Sequence, residues 1–364
     1  MKRRSWSNKV SIIKQYQFKW ILWIAVCWAV VDAIRFITIV FIEHRHEYPV
    51  IENGFMPALL RFVFVFMGGF VMAYFMVVKF RKTFRNVPYW LGILLRILIL
   101  YFAAIIIYGL LFFFMYFFVY GFTLRETAGK YYYYAANNYH LLNNSGIWLL
   151  LFTITQLVIE MNEKYSPGLF RKILIGKYIT PKEEKKIIMF VDLVDSTSIA
   201  EQLGHKKYFL LIKDFIYHVS IAILKWGGDI YQYVGDEVVI SWSMTEDNCG
   251  RCLQALIQAR KELQLQTNYY RREYGLTPEF RAGIHCGEVM VGEIGIIKKD
   301  LAMSGDPMNT TARIKTKGAE LNKKYMASAD FIKAAGMKDY QAETAGMIEL
   351  KGKEKELELF VLKI

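Results

Sequence analysis

The stretch MFVDLVDST, Met189–Thr197, and the stretch YQYVGDEVVISW, Tyr231–Trp242, decide how this chain is read. Ile187–Val191 and Val238–Trp242 are short apolar runs, each bounded by an acid and a small-residue turn, and they predict two strands. Gly235-Asp236 between apolar runs predicts a tight hairpin. Asp192 then stands at the tip of one strand and Asp236 in the turn of the other, where two carboxylates can reach one divalent cation. A lone Val-Gly-Asp-Glu is a common turn and carries little weight without support from other segments.

Downstream, RAGIHCGEVMVGEIG (Arg281–Gly295) reads as two short apolar strands. Its glycines, Gly283, Gly287, Gly292 and Gly295, mark close backbone approach or positive φ. SGDPMNTTARI (Ser304–Ile314) supplies a turn and a helix start at Pro307, with Asn309 and Arg313 four apart on one helical face. An amide and a guanidinium so spaced can address one phosphate and ribose and stabilise charge that builds up during reaction. With two Mg²⁺ or Mn²⁺ ions on the carboxylates, the set suits attack at the α-phosphate of a nucleoside triphosphate.

In this order the segments resemble the class III adenylate/guanylate cyclase catalytic domain, over roughly Lys185–Ile364, about half the chain. The resemblance implies an α+β, ferredoxin-like βαββαβ palm with additions. It implies that Asp192 and Asp236, with Leu193, hold the metals, and that Leu193, Val194, Asp195, Ser196 and Thr197 cradle the triphosphate. Asn309 and Arg313 match the pair that orients the ribose and stabilises the transition state. LKGKEKELELFVL (Leu350–Leu362) matches a closing hairpin in which Lys351 or Lys353 contacts phosphate. Because the family's active sites lie between protomers, one such domain implies a homodimer with two equivalent sites.

Two positions depart from the adenylate pattern. Where the resemblance leads one to expect a base-reading lysine and an aspartate or threonine, the chain has Gln232 and Ala302. Glutamine still offers a donor and an acceptor to a base edge, whereas alanine offers neither. ATP is the favoured substrate by its prevalence in the family; GTP, a pyrimidine nucleotide and a catalytically silent nucleotide-binding receptor stay open as alternatives. The polymerase-like diguanylate cyclases do not fit. They carry Gly-Gly-Asp/Glu-Glu-Phe at the hairpin, against Val234-Gly235-Asp236-Glu237-Val238 here, and lack the Asn-x-x-x-Arg helix.

The 54% hydrophobic content is unevenly spread. Trp20–Ile42, Leu59–Val78, Trp90–Phe122 and Ile147–Met161 are apolar runs, read as four transmembrane helices in a domain of residues 1–161. A coupling linker (162–184) and the catalytic domain (185–364) complete the chain. Residues 1–19 carry six Lys or Arg and no acid, and Lys79, Arg81, Lys82 and Arg85 lie between the second and third runs, again without acid. The positive-inside rule puts both termini and the catalytic domain in the cytoplasm, at an inner (plasma) membrane. No small-residue cleavage site comes after the first run, so a cleavable signal peptide is not expected. The net charge of +13 is then explained by topology and anionic lipid, and no nucleic-acid-binding module is recognisable.

The remaining features read blandly. Cys249 and Cys252 form a lone C-x-x-C without a second ligand pair, which predicts small buried residues rather than a zinc site. His44 and His46 read as part of a solvated loop, and Tyr131–Tyr134 as an interfacial anchor. Asp32, near the middle of the first span with Arg35 one turn on, predicts an intrahelical pair facing the bundle interior; Arg96 is expected to snorkel. Pro167-Gly168 should interrupt the helix ahead of an apolar stripe (Leu169, Phe170, Ile173, Leu174), and Thr180-Pro181 should end it.

Overall fold

The computed structural model describes residues 2–41, 55–84, 87–136, 139–164, 169–297, 299–337, 341–349 and 356–364. The chain divides into two compact units, Met1–Lys164 and Tyr165–Ile364. His44, His46, Pro167-Gly168, Lys351 and Lys353 lie outside the described residues.

The first unit is helical: α1 (Lys2–Phe41), α2 (Phe55–Tyr74), α3 (Phe80–Thr83), α4 (Tyr89–Phe114), α5 (Leu124–Ala136) and α6 (Tyr139–Lys164). A π-helical turn, Phe75–Lys79, joins α2 to α3, and another, Met115–Val119, extends α4. Among the described residues three segments are long and apolar enough to cross a membrane: Gln15–Thr38, Met56–Lys79 and Trp90–Val119. The fourth apolar stretch, Gly146–Asn162, is shorter. It would give roughly 25 Å of helix against a hydrocarbon core of about 30 Å. Large apolar side chains such as Trp23, Met67, Phe102, Ile106 and Phe118 face outward on these helices. Inside, Trp28 packs edge-on against Trp148 and at 4.9 Å from Phe152.

One polar expectation for this unit is incomplete and another needs correction. The expected pair of Asp32 with Arg35 along one helix is not the whole arrangement, because Asp32 ties three helices together. Its buried carboxylate accepts two hydrogen bonds from Arg61 of α2 (2.9 and 3.0 Å) and one from the Tyr108 hydroxyl of α4 (2.5 Å). A charge away from water is held where several donors converge on it, and those donors need not be sequence neighbours. Nor does Arg96 snorkel: its Nη1 lies 2.5 Å from Glu160 of α6, and both side chains are largely buried. Of the tyrosine run, Tyr132 and Tyr133 are exposed, and Tyr131 packs against Phe112 and Phe113.

The second unit opens with the short helix α7 (Leu169–Leu174). The chain leaves it at Gly176, whose φ of +70° reverses direction earlier than Thr180-Pro181 would have done. Tyr178 is buried, and Lys177 pairs with Glu184 at 2.6 Å, which fastens this approach to the first strand. That strand, β1 (Lys182–Leu193), starts before the expected boundary at Lys185. Next come α8 (Ser196–Lys225), β2 (Asp229–Val234), β3 (Glu237–Ser243), α9 (Glu246–Leu265), α10 (Thr267–Tyr274) and β4 (Phe280–Ile294). The order β2-β3-β1-β4, with β3 and β4 both antiparallel to β1, is the ferredoxin-like palm.

The additions are β5 (Asp300–Ser304), α11 (Asp306–Glu320), β6 (Tyr325–Ser328), α12 (Ala329–Ala334), β7 (Ala342–Ile348) and β8 (Leu357–Leu362). β6, β8 and β7 extend the sheet beyond β4, and β5 folds back on β4 as a hairpin arm. The main core lies under one face of the sheet, where Phe215 and Leu211 of α8 and Leu256 and Leu263 of α9 meet Ile187, Met189, Ile240 and Trp242. Cys249, Cys252 and Cys286 are buried in that core as free thiols. Ile188, Phe190, Val289 and Val291 form a smaller core on the other face, with Met308 and Ala312 of α11 against it.

Candidate active site

Three pieces of backbone converge at the carboxyl end of β1. Asp192 is the penultimate residue of that strand, opposite Arg281 in β4. After Leu193 the chain turns into α8 through Asp195, a non-glycine residue in the left-handed region (φ 56°, ψ 33°). Such a conformation costs roughly 1 kcal/mol and marks a turn that the surroundings dictate. Arg281 lies 3.7 Å from the Asp195 carboxylate, and the Val194 N–H is donated to the Glu279 carbonyl at 2.9 Å. Of the stretch Leu193–Thr197, Val194 has thus committed its N–H inside the fold. The first turn of α8, at Ser196 and Thr197, presents N–H groups that the helix itself cannot use, a setting that favours an anion.

The hairpin of β2 and β3 supplies the second piece. Gly235, with φ +63° and open space around it, makes the turn, and Asp236 comes next. Asp236 lies against Asp192 and Ser196, and its Oδ2 is buried with no hydrogen-bond partner among the described residues. Burial, and after it the Asp192 carboxylate, pushes the Asp236 carboxyl above the ordinary aspartate range. Tyr208 of α8, which no local pattern singles out, lies within electrostatic reach of the same carboxylates. Burial and then Asp236 push that phenol up.

Helix α11 is the third piece, and two glycines of β4 make its seat. A Cβ on Gly283 would stand 2.6 Å from the Lys315 nitrogen, and one on Gly287 would stand 2.6 Å from Pro307. Seated this closely, α11 delivers Lys315 to the carboxylates: its Nζ lies 3.0 Å from Asp192 Oδ2 and 2.5 Å from Glu237 Oε2. Burial works against the ammonium charge, yet hydrogen bonding to Glu237 and the charge of Asp192 prevail and raise it. Lys315 carries no sequence signal of its own, because its partners are remote along the chain.

That contact fixes where the rest of the helix points. Arg313 precedes Lys315 by two residues, about 200° around a helix of 3.6 residues per turn, so it faces away from Asp192 of its own chain. Asn309 shares the Arg313 face; it is exposed and Arg313 half-buried. Among the described residues neither makes a hydrogen bond or ion pair within the chain. Gln232 is exposed on the edge strand β2 beside a bulge, and Ala302 of β5 pairs with Gly292 of β4. Their neighbours touch: the Met303 N–H is donated to the Tyr231 hydroxyl at 2.8 Å, which links the β2 and β5 strands. Lys351 and Lys353 fall outside the described residues, although β7 and β8 do form the closing hairpin.

The donor set fits a divalent cation. Two carboxylates in contact, one with a buried oxygen that bonds to nothing, carry a charge that the fold leaves unanswered at that atom. Among the described residues no three His, Cys, Asp or Glu side chains converge on one point. Asp192 and Asp236 would therefore hold a metal jointly with main-chain carbonyl and ligand oxygens, as hard oxygen-loving cations allow.

The sequence model of the adenylate and guanylate cyclase catalytic domain matches residues 179–363. Adenylate cyclase 2 of Rhizobium meliloti is 30% identical over 210 residues, covering 56% of this chain and 57% of that protein. The receptor-type guanylate cyclase gcy-14 of Caenorhabditis elegans is 23% identical over 188 residues, 50% of this chain and 17% of that protein. The chain thus spans little more than half the length of one of these relatives and a small part of the other. A solved bacterial light-regulated adenylyl cyclase superposes with a TM-score of 0.53 at 18% identity, covering 63% of this chain and 66% of that one. That last likeness is one of fold.

Proposed function

The chain belongs to the adenylate and guanylate cyclase catalytic domain family, and from that premise we propose that it is a membrane-anchored homodimeric adenylate cyclase. It converts ATP to 3′,5′-cyclic AMP and pyrophosphate with Mg²⁺ or Mn²⁺. The observation that carries this reading is the buried, unpartnered Asp236 oxygen beside Asp192, at the start of a helix whose first N–H groups are free for phosphate.

When bound, divalent ions supply positive charge against the triphosphate and make the ribose 3′-hydroxyl a better nucleophile. Asp192 and Asp236 hold them, with the Leu193 main chain. Ser196 and Thr197 at the start of α8 receive the phosphate chain, and the Asp195 turn fixes their direction. Arg313 places its guanidinium where charge accumulates as the 3′-hydroxyl attacks the α-phosphate in line and pyrophosphate leaves. Asn309 orients the ribose, and Lys351 or Lys353 neutralises phosphate.

The orientation of α11 supports a dimer. Asn309 and Arg313 face away from the carboxylates of their own chain, so a complete site needs them from a second copy. Ile294, Ile296 and Ile297 near the end of the β4–β5 arm are exposed, Ile297 fully, as an arm that lies on a partner would require. With the shorter Gly146–Asn162 helix counted as a fourth span, both termini and the catalytic unit lie on the cytoplasmic side, where nucleotide and Mg²⁺ are found. For base choice, exposed Gln232 with Ala302 supports a moderate ATP preference and measurable turnover of GTP. Assaying the purified protein with each of the four ribonucleotides and Mg²⁺ or Mn²⁺ tests the reading: cyclic AMP as the main product is expected, and no cyclic product from any of the four would overturn it.

A further inference from the structure

Lys315 touches a carboxylate assigned to the metals and yet has no role in the proposed chemistry. Its ammonium bridges Asp192 Oδ2 at 3.0 Å and Glu237 Oε2 at 2.5 Å, and only 16% of the side chain is exposed. Glu237 is itself shielded, at 17% exposure. The bridge is built into the fold rather than made by a loose surface side chain, because Gly283 lets the backbone of Lys315 sit directly on β4. Among the described residues Asp236 has no such counter-ion: its Oδ2 is the atom left bare. The two carboxylates assigned to the metals are therefore unequal, one already answered by a fixed positive charge and the other not.

We propose that Lys315 is a positioning residue that competes with the first divalent cation for Asp192, with Glu237 as the carboxylate that draws the ammonium aside. This rests on the assignment of Asp192 to the metals. Held by both acids, Lys315 keeps the nucleotide-free site from attracting cations strongly. A cation must displace the ammonium from Asp192 toward Glu237, and it does so most readily together with a triphosphate, whose negative charge offsets Lys315. The enzyme thereby takes up metal with its nucleotide rather than ahead of it. Buried charge pairs at this separation interact strongly and are poorly screened by salt.

The two partners of the bridge should shift cation affinity in opposite directions. The probe is Mn²⁺ alone, titrated into the full-length protein without nucleotide, with free Mn²⁺ monitored by electron paramagnetic resonance. Lys315→Met should tighten Mn²⁺ binding about tenfold, the scale of one fixed charge close to the site. Glu237→Gln should weaken it several-fold, since the ammonium is then left to Asp192, and Lys315→Arg should stay near wild type. The Lys315→Met shift should persist in high salt and shrink when a non-cyclisable triphosphate is present. A purely structural role predicts weaker binding in both variants; shifts of the same sign, or none, overturn the proposal. If Lys315→Met fails to fold, Glu237→Gln decides, and unchanged or tighter Mn²⁺ binding there counts against it. Mn²⁺ binding unaltered by Asp192→Ala removes the metal assignment and this proposal with it, whereas loss of binding in Asp192→Ala with same-sign shifts in the other two removes the proposal alone.

Discussion

Gly283 of β4 and Lys315 of α11 are in backbone contact: a Cβ on Gly283 would stand 2.6 Å from the Lys315 nitrogen and 2.8 Å from the Thr311 carbonyl oxygen. Neither neighbour is a flexible side-chain tip, so Gly283→Ala must lift the helix off the sheet. Overpacking of this kind costs about 1–3 kcal/mol. The expected outcome is a melting temperature lowered by several degrees and a larger loss of cyclase activity, because Asn309, Arg313 and Lys315 move with the helix. Activity at the wild-type level in a stably folded Gly283→Ala protein would show that the seat of α11 is not critical.

Much of this arrangement is legible in the sequence, and the reason is locality. The β2–β3 turn needs Gly235 and the start of α11 takes Pro307, each a demand met within a few positions; at Gly283 and Gly287 the glycines themselves signal a close approach, though not to which partner. Lys315 and Tyr208 are not legible, since their partners lie far off in sequence and no spacing rule connects them. The same holds in the membrane unit, where local spacing pairs Asp32 with Arg35 and the structure adds Arg61 and Tyr108 from other helices. The start of α5 does carry a local signal. Thr123 and Glu126 form a capping box, with the Thr123 N–H donated to Glu126 Oε2 at 2.8 Å.

Asp236→Asn should separate stability from catalysis. The wild-type carboxylate is buried with one oxygen unbonded, an arrangement that disfavours the metal-free fold. The amide carries no charge, so the metal-free variant should melt at or above the wild-type temperature while making no cyclic nucleotide. Added Mn²⁺ should stabilise wild type and leave Asp236→Asn unchanged. Residual turnover near normal would remove Asp236 from the metal site.

Acid should loosen the approach to β1 through Glu184. Burial opposes its charge, but hydrogen bonds from Lys177 and Lys186 outweigh it and hold the carboxyl at about 2, against an ordinary value of 4.5. A carboxyl depressed in the folded state contributes stability that is complete above its unfolded value and lost as pH falls through the folded one. Wild type should therefore lose melting temperature between pH 5 and pH 2, within the window from about 4.5 down to about 2. Glu184→Gln should start lower at neutral pH and lose less over that range. Parallel curves for the two proteins would mean that the Lys177 and Lys186 contacts contribute nothing in solution.

If Asp236 and Arg313 act from opposite chains, two inactive proteins should rescue each other. Mixed dimers of Asp236→Ala and Arg313→Ala contain one intact site and one doubly damaged site. Co-expression with two different affinity tags and sequential purification should yield heterodimers with substantial cyclase activity, while each parent alone has almost none. Inactive heterodimers, with the tags showing that they formed, would place both residues in one chain's site.

The base should be read by a wall with a single polar side chain. Gln232 is exposed on β2, and Ala302 on β5 offers no side-chain hydrogen bond, although the Tyr231–Met303 contact brings their strands together. Discrimination is strong where a wrong ligand leaves buried polar groups unpaired, and weak where the site merely lacks a partner. Wild type should therefore favour ATP over GTP only moderately. Gln232→Lys with Ala302→Asp adds a donor for a ring nitrogen and an acceptor for the adenine amino group, and guanine, which reverses that pattern, would leave both unpaired. The ratio of kcat/KM for ATP to that for GTP should rise at least tenfold in the double variant, with each single variant well short of it. Direct competition of the two nucleotides, with both cyclic products quantified in one reaction, measures this ratio without separate enzyme preparations. An unchanged ratio with activity retained would mean that the purine edge lies against other residues, and that Gln232 and Ala302 are not the base-reading wall.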